Sequence, residues 1–159
     1  MLNPFNFTIS DMSPIFHYYP SRDGPIDSSW NASFSGSPDS TWAPGTLGVG
    51  VRSFLQRQHT FPDLFYLKTS AHRTTLPGAS VRLDWLGTAI YLYGSASVGA
   101  YTIELDGATT KVETNMPELL FAKSGLTYGS HSLTLHVVLG TSTTSISGAI
   151  ITVGMGETG

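Results

Sequence analysis

The chain has no cysteine among its 159 residues. That excludes disulfides, thiolate nucleophiles and cysteine-based zinc sites. Charge is scarce as well: Asp, Glu, Lys and Arg make up 12% of the residues, about half of the ~25% usual in globular domains. Net charge is −3 with the five histidines neutral, which argues against a surface that holds phosphate or an anionic membrane by bulk charge. No run of 18 apolar residues occurs, so no segment reads as a membrane-crossing helix. The opening MLNPFNFTIS has neither the basic start nor the apolar stretch of a signal peptide. Long helical periodicities are missing too.

What is present is a chain with 40% apolar residues, rich in Gly, Ser and Thr. Its length suits one domain over residues 1–159, enough to bury a core. Short runs with strand character recur between Gly- and Pro-containing breaks. They are FNFTI (5–9), PIFHYY (14–19), SSWNASFS (28–35), HRTTL (72–76), SVRLDWL (80–86), AIYLY (89–93), AYTIEL (100–105), TKVET (110–114), ELLFAKS (118–124), HSLTLHVV (131–138) and SISGAIITV (145–153). Such spacing predicts an all-β chain folded as a β-sandwich or jelly roll. Residues 44–70 read as a loop insertion, with Pro62 barring one continuous helix and a strand expected around LFYLK.

Alternation assigns faces. If Gly87-Thr88 is a two-residue hairpin turn, Trp85 faces Ile90 and Asp84 faces Tyr91. One side then carries Leu83, Trp85, Ile90 and Leu92 as core, and the other carries Arg82, Asp84, Tyr91 and Tyr93. Trp30 and Trp85 are core candidates. Asp106-Gly107 is a turn signal, and His131 is expected to cap or pack at an end of the sandwich.

Three constellations could bind sugar, whose apolar C–H face suits an aromatic ring and whose polar rim suits Asp, Asn and Arg. The first is Trp42, in the loop SPDSTWAPG beside Asp39 and Ser40. The second is Tyr19 with Tyr18, Arg22 and Asp23. The third is Tyr91 and Tyr93 with Asp84 and Arg82. Each has an alternative: a loop plug for Trp42, and good strand formers for the tyrosines. Asn6 and Asn31 head Asn-x-Ser/Thr triplets and are candidate glycosylation sites. No cofactor is expected. A structural calcium would have to be assembled from distant loops, and the histidines lack metal-binding spacing. Glu104 and Asp106 imitate a glycosidase pair only superficially. No Gly-x-Ser-x-Gly elbow occurs, GVGV at 48–51 lacks a phosphate loop's spacing, and basic residues are too few for a nucleic-acid stripe.

The stretch GASVRLDWLGTAIYLYGSASVGAYTIELDG (78–107), followed by GLTYGSHSLTL (125–135), resembles a jelly-roll module of mushroom-type fungi. FTISDMSPIFHYYPSRDGP and the SSW after it resemble that family's opening segment. The resemblance covers most of 5–139 and is weakest over 44–70 and 140–159. It implies a galactose-binding-like jelly-roll ectodomain of a secreted or single-pass surface protein, hence an extracellular or cell-surface location. The expectation is a non-catalytic module, not an enzyme, that recognises cell-wall or other polysaccharide. Alternatives are a structural or self-assembling ectodomain that pairs through IITVGMG as an edge strand, and an accessory module of a glycoside hydrolase.

Overall fold

Period-2 alternation builds this fold, and it is preserved strand by strand in the computed structural model, which describes residues 4–34, 70–112 and 118–154. Eleven strands are present among the described residues: β1 (Phe5–Ser10), β2 (Phe16–Tyr19), β3 (Asn31–Phe34), β4 (Ser70–Thr74), β5 (Ser80–Gly87), β6 (Ala89–Ser95), β7 (Tyr101–Leu105), β8 (Ala108–Thr110), β9 (Leu119–Lys123), β10 (Gly129–Val137) and β11 (Thr144–Val153). They form two antiparallel sheets. One has the order β3-β4-β11-β6-β9, with β1 also paired to β11. The other has the order β2-β5-β10-β7-β8. The chain is an all-β sandwich of the jelly-roll kind, and no described residue is helical.

The core lies between the sheets. Val81, Leu83 and Trp85 on β5, Ile103 and Leu105 on β7, and Leu133, Leu135 and Val137 on β10 meet Ile90 and Leu92 on β6 and Ile146, Ala149 and Ile151 on β11. Each large apolar side chain withdrawn fully from water contributes roughly 1.5–3 kcal/mol before chain entropy is counted. Trp30 is completely buried. Its indole N–H reaches the carbonyls of Tyr19 and Ser80, each at 3.1 Å, and so ties the loop after β2 to β5.

One expected connection is different. Gly87-Thr88 is not a hairpin turn: β5 pairs with β10 and β2, whereas β6 pairs with β11 and β9. The chain changes sheets at Thr88, whose N–H donates to the Thr152 carbonyl at 2.9 Å. Glycine is needed at 87 because a Cβ there would overlap that same carbonyl oxygen. Strands that switch sheets make the corners of sandwiches. Leu83, Trp85, Ile90 and Leu92 still point inward, but from opposite layers. Arg82 and Asp84 therefore lie on one outer face of the sandwich and Tyr91 and Tyr93 on the other.

The C-terminal strand is also placed differently from the edge expected of it. β11 is interior to its sheet, with β6 on one side and β4 followed by β1 on the other. The Asp106-Gly107 turn is as expected. Both residues have positive φ, 51° and 82°, as a two-residue type I′ turn requires, and they join β7 to β8. Trp42, the LFYLK strand and nearly all of the 44–70 insertion lie outside the described residues; Ser70 opens β4.

Candidate functional site

The densest polar cluster lies where β4 meets the turn after β1 and the loop after β2. β4 alternates Ser70, His72 and Thr74 toward the interior. Asp11, at the end of β1, is completely buried, as is His72. Asp11 Oδ2 lies 2.7 Å from His72 Nδ1. Asp11 Oδ1 accepts from the Ser70 hydroxyl and from the Ser10 hydroxyl at 3.2 Å. The Tyr18 hydroxyl donates to the Asp11 carbonyl at 2.9 Å, and its ring stacks on His72 with centroids 4.5 Å apart. Burial, then the Asp11 charge, pushes the Tyr18 phenol well above its ordinary value, so it is a neutral donor.

The other imidazole nitrogen, Nε2, faces Asp23 Oδ1 at 3.3 Å. Asp23 is 56% exposed, so a buried pair reaches the surface through this one carboxylate. Both imidazole contacts are hydrogen bonds only when both ring nitrogens carry protons. Asp11 and His72 match the carboxylate–imidazole half of a hydrolytic triad. In a triad, however, Nε2 would face a nucleophile; here it faces Asp23. Among the described residues no serine hydroxyl bonds to a histidine ring. The cluster's evident capacity is to fix the loop that carries Arg22 and Asp23. Arg22 donates to the Met12 carbonyl, which closes that loop onto the turn after β1. Tyr19, at the start of the loop, is 65% exposed.

A second cluster sits at the β7–β8 turn. Asp106 accepts from the Ser132 N–H and lies against His131 Nδ1, both at 2.8 Å. His131 Nε2 is 2.8 Å from the Thr127 carbonyl, and its ring packs on Trp85. The Ser132 N–H, then His131, lowers the Asp106 carboxyl pKa. Asp106, then the Thr127 carbonyl, raises that of His131. This is the end cap expected of His131, with both ring nitrogens engaged.

The sequence-predicted residues divide as follows. Tyr19, Arg22 and Asp23 share the buttressed loop and its root, while Tyr18 turns inward beneath it. Asp84 lies on β5 with the Arg82 guanidinium 3.1 Å away. Tyr91 and Tyr93 are half-buried on β6, across from Ile150 and Gly148 of β11. The expected grouping of Tyr91, Tyr93 and Asp84 is therefore split between opposite outer faces by the crossover at Thr88. Asn6 is exposed on β1, and its side-chain oxygen accepts from Thr152 at 2.7 Å. The Asn31 amide donates to the Gly24 carbonyl at 2.9 Å. Asp11, Ser70 and His72 escaped sequence reasoning. Among the described residues no group of three or more His, Asp or Glu is arranged to hold a metal ion.

No family model and no curated protein matches the sequence. Solved structures do match in fold. A family two carbohydrate esterase from Cellvibrio japonicus is similar with a TM-score of 0.52 at 11% identity, over 96% of this chain and 35% of that one. A two-domain esterase active on acetylated mannans is similar with a TM-score of 0.52 at 12% identity, over 96% of this chain and 37% of that one. This holds both for its complex with mannopentaose and for its structure described without it. The chain thus spans little more than a third of these enzymes, and the likeness is one of fold. It overturns the expectation that the chain is not an enzyme: the jelly roll seen here occurs within carbohydrate esterases.

Proposed function

We propose that the chain is a carbohydrate-engaging jelly-roll domain of a carbohydrate-active protein of the esterase kind, and that it meets polysaccharide at the corner formed by β2 and the loop after it. One observation carries this reading. The exposed Tyr19 ring opens a loop whose Asp23 is held from behind by the buried His72–Asp11 pair. A flat aromatic, a fixed carboxylate and a guanidinium on one short loop are the groups that suit a sugar's apolar face and polar rim. Fixing the carboxylate beforehand lowers the ordering cost of binding. The similar folds come from enzymes on carbohydrate esters, one of them active on acetylated mannans, and that supports acetylated polysaccharide as the class to test first. A secreted or surface-displayed setting, as in the fungal proteins the sequence resembles, accords with the same reading.

The test is calorimetric titration with acetylated and deacetylated mannan, xylan and glucan fragments, with acetate release followed in the same samples. Saturable binding that Tyr19→Ala abolishes is expected, and acetate release would add catalysis to recognition. No binding to any of these polymers, or equal binding by Tyr19→Ala, would refute the proposal.

A further inference from the structure

The five-stranded sheet has an inner face that is core and an outer face on which no described element packs. Its registers align the outward side chains in rows across the strands. Tyr19, Ser80, His136 and Thr102 form one row, and His17, Arg82, Thr134, Glu104 and Thr109 form the next. Asp84 and Ser132 begin a third. The second row crosses all five strands of the sheet, about 19 Å at ~4.8 Å per strand.

The chemistry of these rows is consistent throughout. Tyr19 is the sole aromatic in the first two rows and stands at one edge. The remainder is hydroxyls, imidazoles and a few charged groups: Arg82 lies 3.1 Å from Asp84, and His136 Nε2 lies 3.5 Å from Glu104. All four of these side chains are about half exposed. No sign of charge dominates, which argues against an anionic or nucleic-acid partner. Adjacent sugar hydroxyls both donate and accept, so they can answer a guanidinium and a carboxylate side by side. We propose that this face takes an extended, uncharged polysaccharide segment laid across the strands from Tyr19 toward Thr109. The inference rests on the carbohydrate reading above and adds the path of the chain. The corner grips one ring, and the sheet face reads its neighbours.

The experiment titrates the whole chain with mannobiose and mannopentaose, and in parallel with the disaccharide and pentasaccharide of the xylan, cellulose and chitin series. Expected is an affinity for the pentasaccharide of one series at least roughly tenfold above its disaccharide. In Arg82→Ala/Glu104→Ala that advantage should disappear while disaccharide affinity stays unchanged. Tyr91→Ala/Tyr93→Ala, on the opposite outer face, should keep it. Amide shifts on adding the pentasaccharide should map to Thr102, Thr134 and His136, which reports on the face even if a variant folds poorly. Equal affinity for short and long sugars, or an undiminished advantage in the Arg82/Glu104 variant, overturns the extended path and leaves the corner standing. No binding of any sugar overturns both.

Discussion

Removing the Asp11 carboxylate is the severest perturbation of the buried cluster. It accepts from Ser70 and Ser10 and lies 2.7 Å from His72 Nδ1, with both side chains of the pair shut off from solvent. Asp11→Ala leaves His72 Nδ1 without its partner and the Ser70 hydroxyl without its acceptor, both buried. Losing one member of a buried pair costs about 3–5 kcal/mol, and a stranded hydroxyl about 1–3 kcal/mol. The two share one network and do not add, so the expected total is about 3–5 kcal/mol. That is a large fraction of the ~5–15 kcal/mol that holds a domain together. With a urea slope of ~2 kcal/mol per molar, the unfolding midpoint should fall by about 2 M. Asp11→Asn keeps the shape and one acceptor oxygen and should lose less. The decisive measurement is the cycle with His72→Ala. Because the two residues act through each other, the double variant should be more stable than the sum of the single losses implies, by more than ~0.5 kcal/mol. A midpoint shift under about 0.5 M for Asp11→Ala, or additivity within that margin, would refute the claim that the pair is a coupled buttress.

An NMR titration of His131 should show a midpoint above the ordinary ~6.5, because Asp106 and the Thr127 carbonyl hold its protonated form, and Asp106→Asn should bring it down. The raised histidine contributes fully below pH ~6.5 and loses its contribution as pH rises through the raised value. The lowered Asp106 contributes fully above pH ~3.9 and loses its contribution as pH falls through the lowered value. The stability difference between the native chain and Asp106→Asn should therefore be a small plateau, since Asp106 is 44% exposed, and it should decline on both sides. Gly87→Ala should destabilise by about 1–3 kcal/mol, the usual cost of overpacking, since its methyl meets the Thr152 backbone; an unchanged melting curve would contradict the sheet-crossing corner. Trp30→Phe should cost more than its lost area, because the Tyr19 and Ser80 carbonyls both lose the indole donor, and it should weaken sugar binding by loosening the β2 corner.

Much of the architecture was legible because strand signals are local. The inward sets of β5, β6, β7 and β10 follow from alternation alone, and Asp106-Gly107 declares its turn by residue type. Pairing was not legible. Alternation says which face of a strand is apolar, not which strand lies beside it. Leu83, Trp85, Ile90 and Leu92 face the core whether β5 and β6 form a hairpin or belong to opposite sheets. The hairpin assumption put Asp84 beside Tyr91; the crossover sets them on opposite sides of the molecule. The physical reason is Gly87, whose missing side chain admits the Thr152 backbone. Tyr19, Arg22 and Asp23 could be grouped from the sequence because they lie within one five-residue stretch. Asp11 and His72 are 61 residues apart in sequence and belong to no spaced motif, so no sequence pattern joined them.

That distant pair bears on why the corner is built as it is. A buried polar pair is a weak way to stabilise a fold, since apolar side chains of similar volume often do as well or better. Trp30 already anchors the loop's far end to Tyr19 and Ser80. If holding the chain in place were all that was required, an apolar plug at 11 and 72 would suffice. An apolar plug could not present a hydrogen-bonded carboxylate at the surface. His72 does that: one ring nitrogen meets buried Asp11 and the other meets exposed Asp23. The same loop begins at Tyr19, whose ring heads the first row of the five-stranded face. The buried pair thus backs a surface carboxylate in the loop that begins at Tyr19, and the double variant Asp11→Leu/His72→Phe, which removes both members and strands neither, separates the two roles. If orientation is its purpose, that variant should keep most of its stability and still lose sugar affinity. If stability falls while affinity per folded molecule holds, the pair is structural only.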